Sequence, residues 1–176
     1  MRILSLLCAL ATLVVTASVA GATVSGAGTL SVERGRGMVM VDLRGSLLGR
    51  LGTGSLRVTD HTPNDRYVAT VAGRRITQER LGPRTVVYKG QGLRFRVLGG
   101  SFRVVVRGAG ISLSAVGRGW VVLDGEPRVF GDDLGVYSLD GVDCSLEPTG
   151  CTPLPSVAER YLVGPPDTRP QPKVAS

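Results

Sequence analysis

Between Gly28 and Gly125 the chain alternates apolar and polar side chains in short runs. Leu93-Arg94-Phe95-Arg96-Val97 is the clearest, with Leu56-Arg57-Val58-Thr59 and Ile111-Ser112-Leu113-Ser114 close behind. A period of two sends one set of side chains to a buried face and the other to water, the pattern of a half-buried strand. No helical periodicity competes with it here. Glycines punctuate the runs at Gly28, Gly37, Gly45, Gly54, Gly73, Gly82, Gly90, Gly99, Gly108, Gly117 and Gly125. Short strands at this spacing predict an all-β fold, either an antiparallel sandwich or a barrel. A short β-solenoid with two strands per coil fits the same rhythm and is the alternative. Gly99-Gly100 and Asp124-Gly125 suit tight hairpins, whose turns need positive φ.

The pattern also repeats. Leu30 to Gly45 aligns without gaps on Leu93 to Gly108, apolar positions falling on apolar ones and Arg44-Gly45 on Arg107-Gly108. Gly52-Thr53-Gly54 then falls on Gly117-Arg118-Gly119 after a small shift. Two similar β units that pack together are the expectation. Between them, Asp60 to Asp65 reads as a loop, Tyr67 to Val71 as a strand, Gly73-Arg74-Arg75 as a turn and Arg84 to Lys89 as a further strand.

The flanks differ. Residues 1–22 have the three parts of a cleavable secretory signal: Arg2, an apolar run from Ile3 to Val15, and small residues ending in Ala20-Gly21-Ala22. The run is shorter than the roughly 20 residues a membrane-spanning helix wants. The expectation is an extracytoplasmic protein with no integral span once the signal is removed. A single all-β domain is expected over 23–152. Pro155 followed by Ser156-Val157-Ala158-Glu159 is a capping-box pattern and predicts helical turns in 157–163, so 153–163 is set apart as a short helical or loop segment. Residues 164–176 are rich in proline with little to bury, and read as a disordered tail.

Export changes how the cysteines read. Cys8 leaves with the signal, and Cys144 and Cys151 remain as an even pair in an oxidising compartment, which predicts a disulfide. The chain carries a net charge of +7, and Lys89 and Lys173 are its only lysines, so arginine supplies nearly all the positive charge. Arg94, Arg96, Arg103 and Arg107 are the candidate contacts to anionic cell-envelope polymers. Nucleic acid is not an expected partner, because period two puts Arg94 and Arg96 on the face opposite Phe95, leaving no stacking platform.

The inventory for catalysis is thin. His61 is the only histidine, which excludes a multi-histidine metal site, and no Gly-x-Ser-x-Gly elbow presents a serine. The Gly-x-Gly pairs lack a following helix or a Gly-Lys-Ser/Thr, so they read as turns and not as phosphate loops. No catalytic, cofactor or metal residue is assigned. The acidic loop near residues 131–147, with Asp132, Asp133, Asp140, Asp143 and Glu147, is the one place where calcium or a carboxylate-based hydrolase could be sought. A secreted, non-catalytic envelope protein of structural or adhesive type is therefore expected. A small hydrolase or a ligand-binding module is the alternative.

Overall fold

The computed structural model describes residues 28–62, 69–126 and 134–165. Its alternating runs are strands, which most of the punctuating glycines bend and do not end. Six strands form: β1 (Gly28–Asp60), β2 (Thr70–Arg80), β3 (Thr85–Gly125), β4 (Val136–Ser138), β5 (Thr152–Pro153) and β6 (Glu159–Val163). Every pairing between them is antiparallel. β1 has 33 residues and β3 has 41, far beyond the five or six of an ordinary strand. Strands of that length stay compact only by folding back on themselves.

The register shows how they do so. Val106 pairs with Val39 on one side and with Leu56 on the other, while Val39 pairs with both Val106 and Leu123. Each arm thus returns beside its partner after one circuit of about 17 residues. Residues 37–44, 54–60, 85–90, 101–108 and 119–125 lie side by side as a front sheet, which β6 extends. Residues 28–36, 45–53, 91–98 and 109–117 form a back sheet, extended by β4 and β5. β2 closes one end, with Thr77–Arg80 against the front sheet and Thr70–Ala72 against the back. The result is an antiparallel sandwich that is not closed into a barrel. It is wound as a solenoid is wound, yet its neighbouring strands run in opposite directions, so the β-solenoid alternative does not form.

Glycines mark the corners where the chain passes from one sheet to the other. Gly125, Gly37, Gly108, Gly54 and Gly90 are successive register partners along one edge. Gly28, Gly117 and Gly45 are partners along the opposite edge. Gly99 and Gly100, expected as a hairpin, instead form a bulge in β3, because Leu98 pairs with Ser46 and Ser101 pairs with Arg44. Both have positive φ (73° and 76°), which a bulge of this kind allows at glycine. Gly125 likewise ends β3 without making a hairpin. The turn expected at Gly73-Arg74-Arg75 is a bend inside β2, where Arg75 has a φ of 51°.

Inward-facing residues of both sheets form one core: Leu30, Val39, Leu43, Leu47, Leu51, Leu56, Leu93, Val104, Ile111 and Leu123 are among those with essentially no exposure. The helical turns expected in 157–163 do not form; Glu159–Val163 is strand β6 and belongs to the same sheet. Residues 119–123 of β3 would otherwise leave a row of backbone groups unpaired, and β6 satisfies them. Its own alternation fits, since Val163 is buried, Tyr161 packs on the core and Leu162 points outward. The Tyr137 hydroxyl donates to that of Tyr161 (2.9 Å), which donates to Glu159. The expected secretory signal lies outside the described residues, as does the proline-rich tail from residue 166 onward. Among the described residues, no helix is long and apolar enough to cross a membrane.

Candidate functional site

Cys144 and Cys151 are joined, with Cα atoms 5.9 Å apart. Cys144 is fully buried, and its N–H donates to the Ser31 hydroxyl of β1 at 3.0 Å. The disulfide closes the 144–151 loop, and the Cys144–Ser31 hydrogen bond ties that loop to the back sheet.

The acidic loop resolves into turn chemistry where it is described. Asp140 accepts the Ser138 hydroxyl, and Asp143 accepts the hydroxyl and N–H of Ser145 at 2.7 and 2.9 Å. These hydrogen bonds, that from the serine hydroxyl first in each case, hold both carboxyls below the usual aspartate range. Asp132 and Asp133 lie outside the described residues. Among the described residues, no group of three or more histidine, cysteine or carboxylate side chains could hold a metal ion.

The four candidate arginines do not share a surface. Period two points all of them outward, but the corner at Gly99-Gly100 places Arg94 and Arg96 on the back sheet and Arg103 and Arg107 on the front. On the front, Arg103 and Arg107 meet two cations that the sequence pattern did not single out, Arg57 and Lys89. All four line a groove of about 410 Å³, whose one carboxylate is Glu79. The ladder sets their spacing. Arg57 stands opposite Val87 and Val105, Arg107 opposite Ser55 and Met38, and Lys89 opposite Ser55 and Thr77. No two of these cations are direct cross-strand partners; Arg57 is the diagonal neighbour of Lys89, Arg103 and Arg107, at roughly 7–8 Å. Arg57 was visible in Leu56-Arg57-Val58 as an outward position. What the local pattern lacks is the long-range register that brings it beside Arg103 and Arg107.

One of the four is neutralised. Asp42 accepts from Arg103 Nε at 2.8 Å and from its terminal nitrogen at 2.6 Å. His61 Nε2 lies 3.5 Å from the other Asp42 oxygen, held there by its backbone N–H to the Ser101 carbonyl (2.9 Å). On the far side of Asp42, Trp120 is covered by the guanidinium of Arg160 at 4.2 Å, with that of Arg103 at 5.5 Å. Its ring is engaged by cations and is not an open stacking platform. Among the described residues, Arg57, Lys89 and Arg107 form no ion pair, and they are exposed.

A cleft between the two sheets, lined by Val58, Val86, Tyr88, Val97 and Phe102 with Arg80 and Arg84 among its residues, has a volume of about 160 Å³. That is about the size of a single small aromatic ring and well below the 300–1,000 Å³ of an ordinary ligand pocket. The groove on the front face is the stronger candidate. No family model, no curated protein and no solved structure matches the chain.

Proposed function

We propose that this chain is a secreted, non-catalytic protein that binds anionic polymers of the cell envelope through the front groove. The observation that carries the reading is the convergence on one groove of Arg57, Lys89 and Arg107, exposed and without an ion pair among the described residues, beside the Asp42-paired Arg103 and a single lining carboxylate, Glu79. The signal-like residues 1–22 and the Cys144–Cys151 disulfide support an extracytoplasmic setting.

Magnitudes favour a polymer over a small anion. One ion contact in water contributes about 1 kcal/mol at 4 Å. Three such contacts reach about 3 kcal/mol, short of the roughly 4 kcal/mol that corresponds to millimolar affinity. A single small anion cannot bridge Arg57, Lys89 and Arg107 all at once. A chain of anions can, and linked contacts gain from effective concentration.

Retention on purified cell wall and on immobilised polyphosphate, eluted by a salt gradient, tests this. The Debye length falls from about 10 Å at 0.1 M salt to about 3 Å at 1 M, so elution below 1 M is expected. The Arg57→Gln/Arg107→Gln variant should elute at clearly lower salt. Retention that persists at high salt, or that ignores the double substitution, would remove the basis of the proposal.

A further inference from the structure

The back face holds a second basic groove, separate from the first. It has a volume of about 670 Å³ and is lined by Arg50, Arg74, Arg94, Ser112 and four glycines, with no carboxylate among its lining residues. Here the cations are not staggered. Arg50 and Arg94 are direct register partners across β1 and β3. Like charges directly opposite one another on a ladder destabilise it. Part of the repulsion is offset, since Arg50 is ion-paired with Glu33 at 3.9 Å, its own side chain being 66% exposed, and Glu33 and Asp143 line the adjoining groove that Arg50 and Arg94 also border. Arg74 and Arg94 form no ion pair among the described residues. A bound anion between Arg50 and Arg94 would turn this repulsion into two favourable contacts, and guanidinium groups match phosphate geometry in a bidentate way.

The positions of the two grooves matter as much as their charge. Leu51, Leu93 and Ile111 of the back sheet face the core, so Arg50, Arg94 and Ser112 face away from it. Arg57 and Arg107 face away from the same core on the front, between buried Leu56 and Val58 and beside buried Val106. The two grooves therefore open in opposite directions, and a single polymer strand crossing one does not fill the other.

We infer that the sandwich is bivalent: it cross-links two phosphate-bearing polymer chains, one on the front groove and one on the Arg50–Arg94 groove. This rests on the reading of the front groove as a polyanion site. It adds a partner geometry that the front groove alone does not require.

Beads coated with long-chain inorganic polyphosphate test it. Wild-type protein should bind the beads and aggregate them at low salt, and salt should disperse the aggregates. The Arg50→Gln/Arg94→Gln variant should still bind single beads through the front groove but lose roughly tenfold or more of the aggregation, the loss of avidity expected when one of two sites is removed. Arg50→Lys/Arg94→Lys should restore part of it. Relief of the like-charge pair predicts a thermal midpoint for Arg94→Gln equal to or above that of wild type, which separates a site effect from misfolding. Two results would overturn the inference: wild type that binds beads without aggregating them, or an Arg50→Gln/Arg94→Gln variant that aggregates them as wild type does. The second would assign bridging to self-association of front-binding molecules. Failure of wild type to bind at all would instead sink the polyanion reading itself.

Discussion

Gly54 and Gly108 are register partners across β1 and β3, and a Cβ on either would meet the carbonyl oxygen of the residue preceding the other. On Gly54 the obstacle is the Arg107 carbonyl, and on Gly108 it is that of Thr53, both far closer than the 3.0 Å below which real Cβ atoms are essentially never found. Both glycines have a φ of +142°. The corner between the sheets is thus tight in two independent respects, backbone conformation and interstrand approach.

The two respects separate by substitution. Gly92 also has positive φ, +58°, but a Cβ there meets nothing within 4 Å. Gly92→Ala should cost about 1 kcal/mol, the penalty of the left-handed region alone. Gly108→Ala adds an overlap with backbone that no rotamer change can relieve, and should cost about 3 kcal/mol or more. Urea unfolding of the two variants checks this; equal losses would show that the corners are not close-packed.

This corner also shows what the sequence conveys and what it withholds. The glycine rhythm and the period-two alternation are local properties, and they predict β structure throughout 28–125. Whether a glycine ends a strand or bends it depends on what lies beside it, and Gly54 lies beside Gly108 and Gly90. No local pattern contains that pairing. The repeat came closer, because Leu30–Gly45 and Leu93–Gly108 both run from the back sheet to the front. The site was half legible for the same reason. Outward arginines follow from alternation, but sorting Arg94 from Arg103 requires the bulge at Gly99-Gly100. The Ser156–Glu159 capping box was misleading, since the open edge of β3 outcompetes a single helical turn for residues 159–163.

The disulfide should stabilise locally. Cys144 and Cys151 are 7 residues apart in sequence. A loop this short contributes about 2–3 kcal/mol in the chain-entropy account. The core cluster draws nothing from between Leu139 and Leu154, so the sandwich should survive loss of the bond. The Cys144→Ser/Cys151→Ser variant is expected to lose about 2 kcal/mol in denaturant unfolding while keeping its β-sheet circular dichroism. Loss of the folded state altogether would show that the loop organises β1.

Acid should weaken the same region. Asp140 and Asp143 have carboxyl pKa values lowered from 3.8 by their serine hydrogen bonds. A depressed folded-state pKa gives stability that is fully present above the unfolded value and lost as pH falls through the folded one. The window therefore opens near pH 4 and extends downward. Asp140→Asn and Asp143→Asn should each narrow the gap between thermal midpoints measured at pH 7 and pH 3. A gap unchanged in both variants would mean that the turns persist with protonated carboxyls.

Asp42 links the fold to the proposed function, because its removal should move stability and binding in opposite directions. Its side chain is 16% exposed and that of Arg103 is 44% exposed, so solvent screens the pair and the bond contributes about 0.5–1 kcal/mol. Asp42→Asn should lower stability by that amount. It also frees the charge of Arg103, giving the groove a fourth unpaired cation beside Arg57, Lys89 and Arg107. On immobilised polyphosphate the variant should elute at higher salt than wild type, with the slope of log affinity against log salt steeper by about one, the change expected for one more neutralised phosphate. Arg103→Gln added to Asp42→Asn should return the slope to the wild-type value. Earlier elution of Asp42→Asn would mean that the carboxylate orients Arg103 for the polymer, and that three cations do not suffice without it.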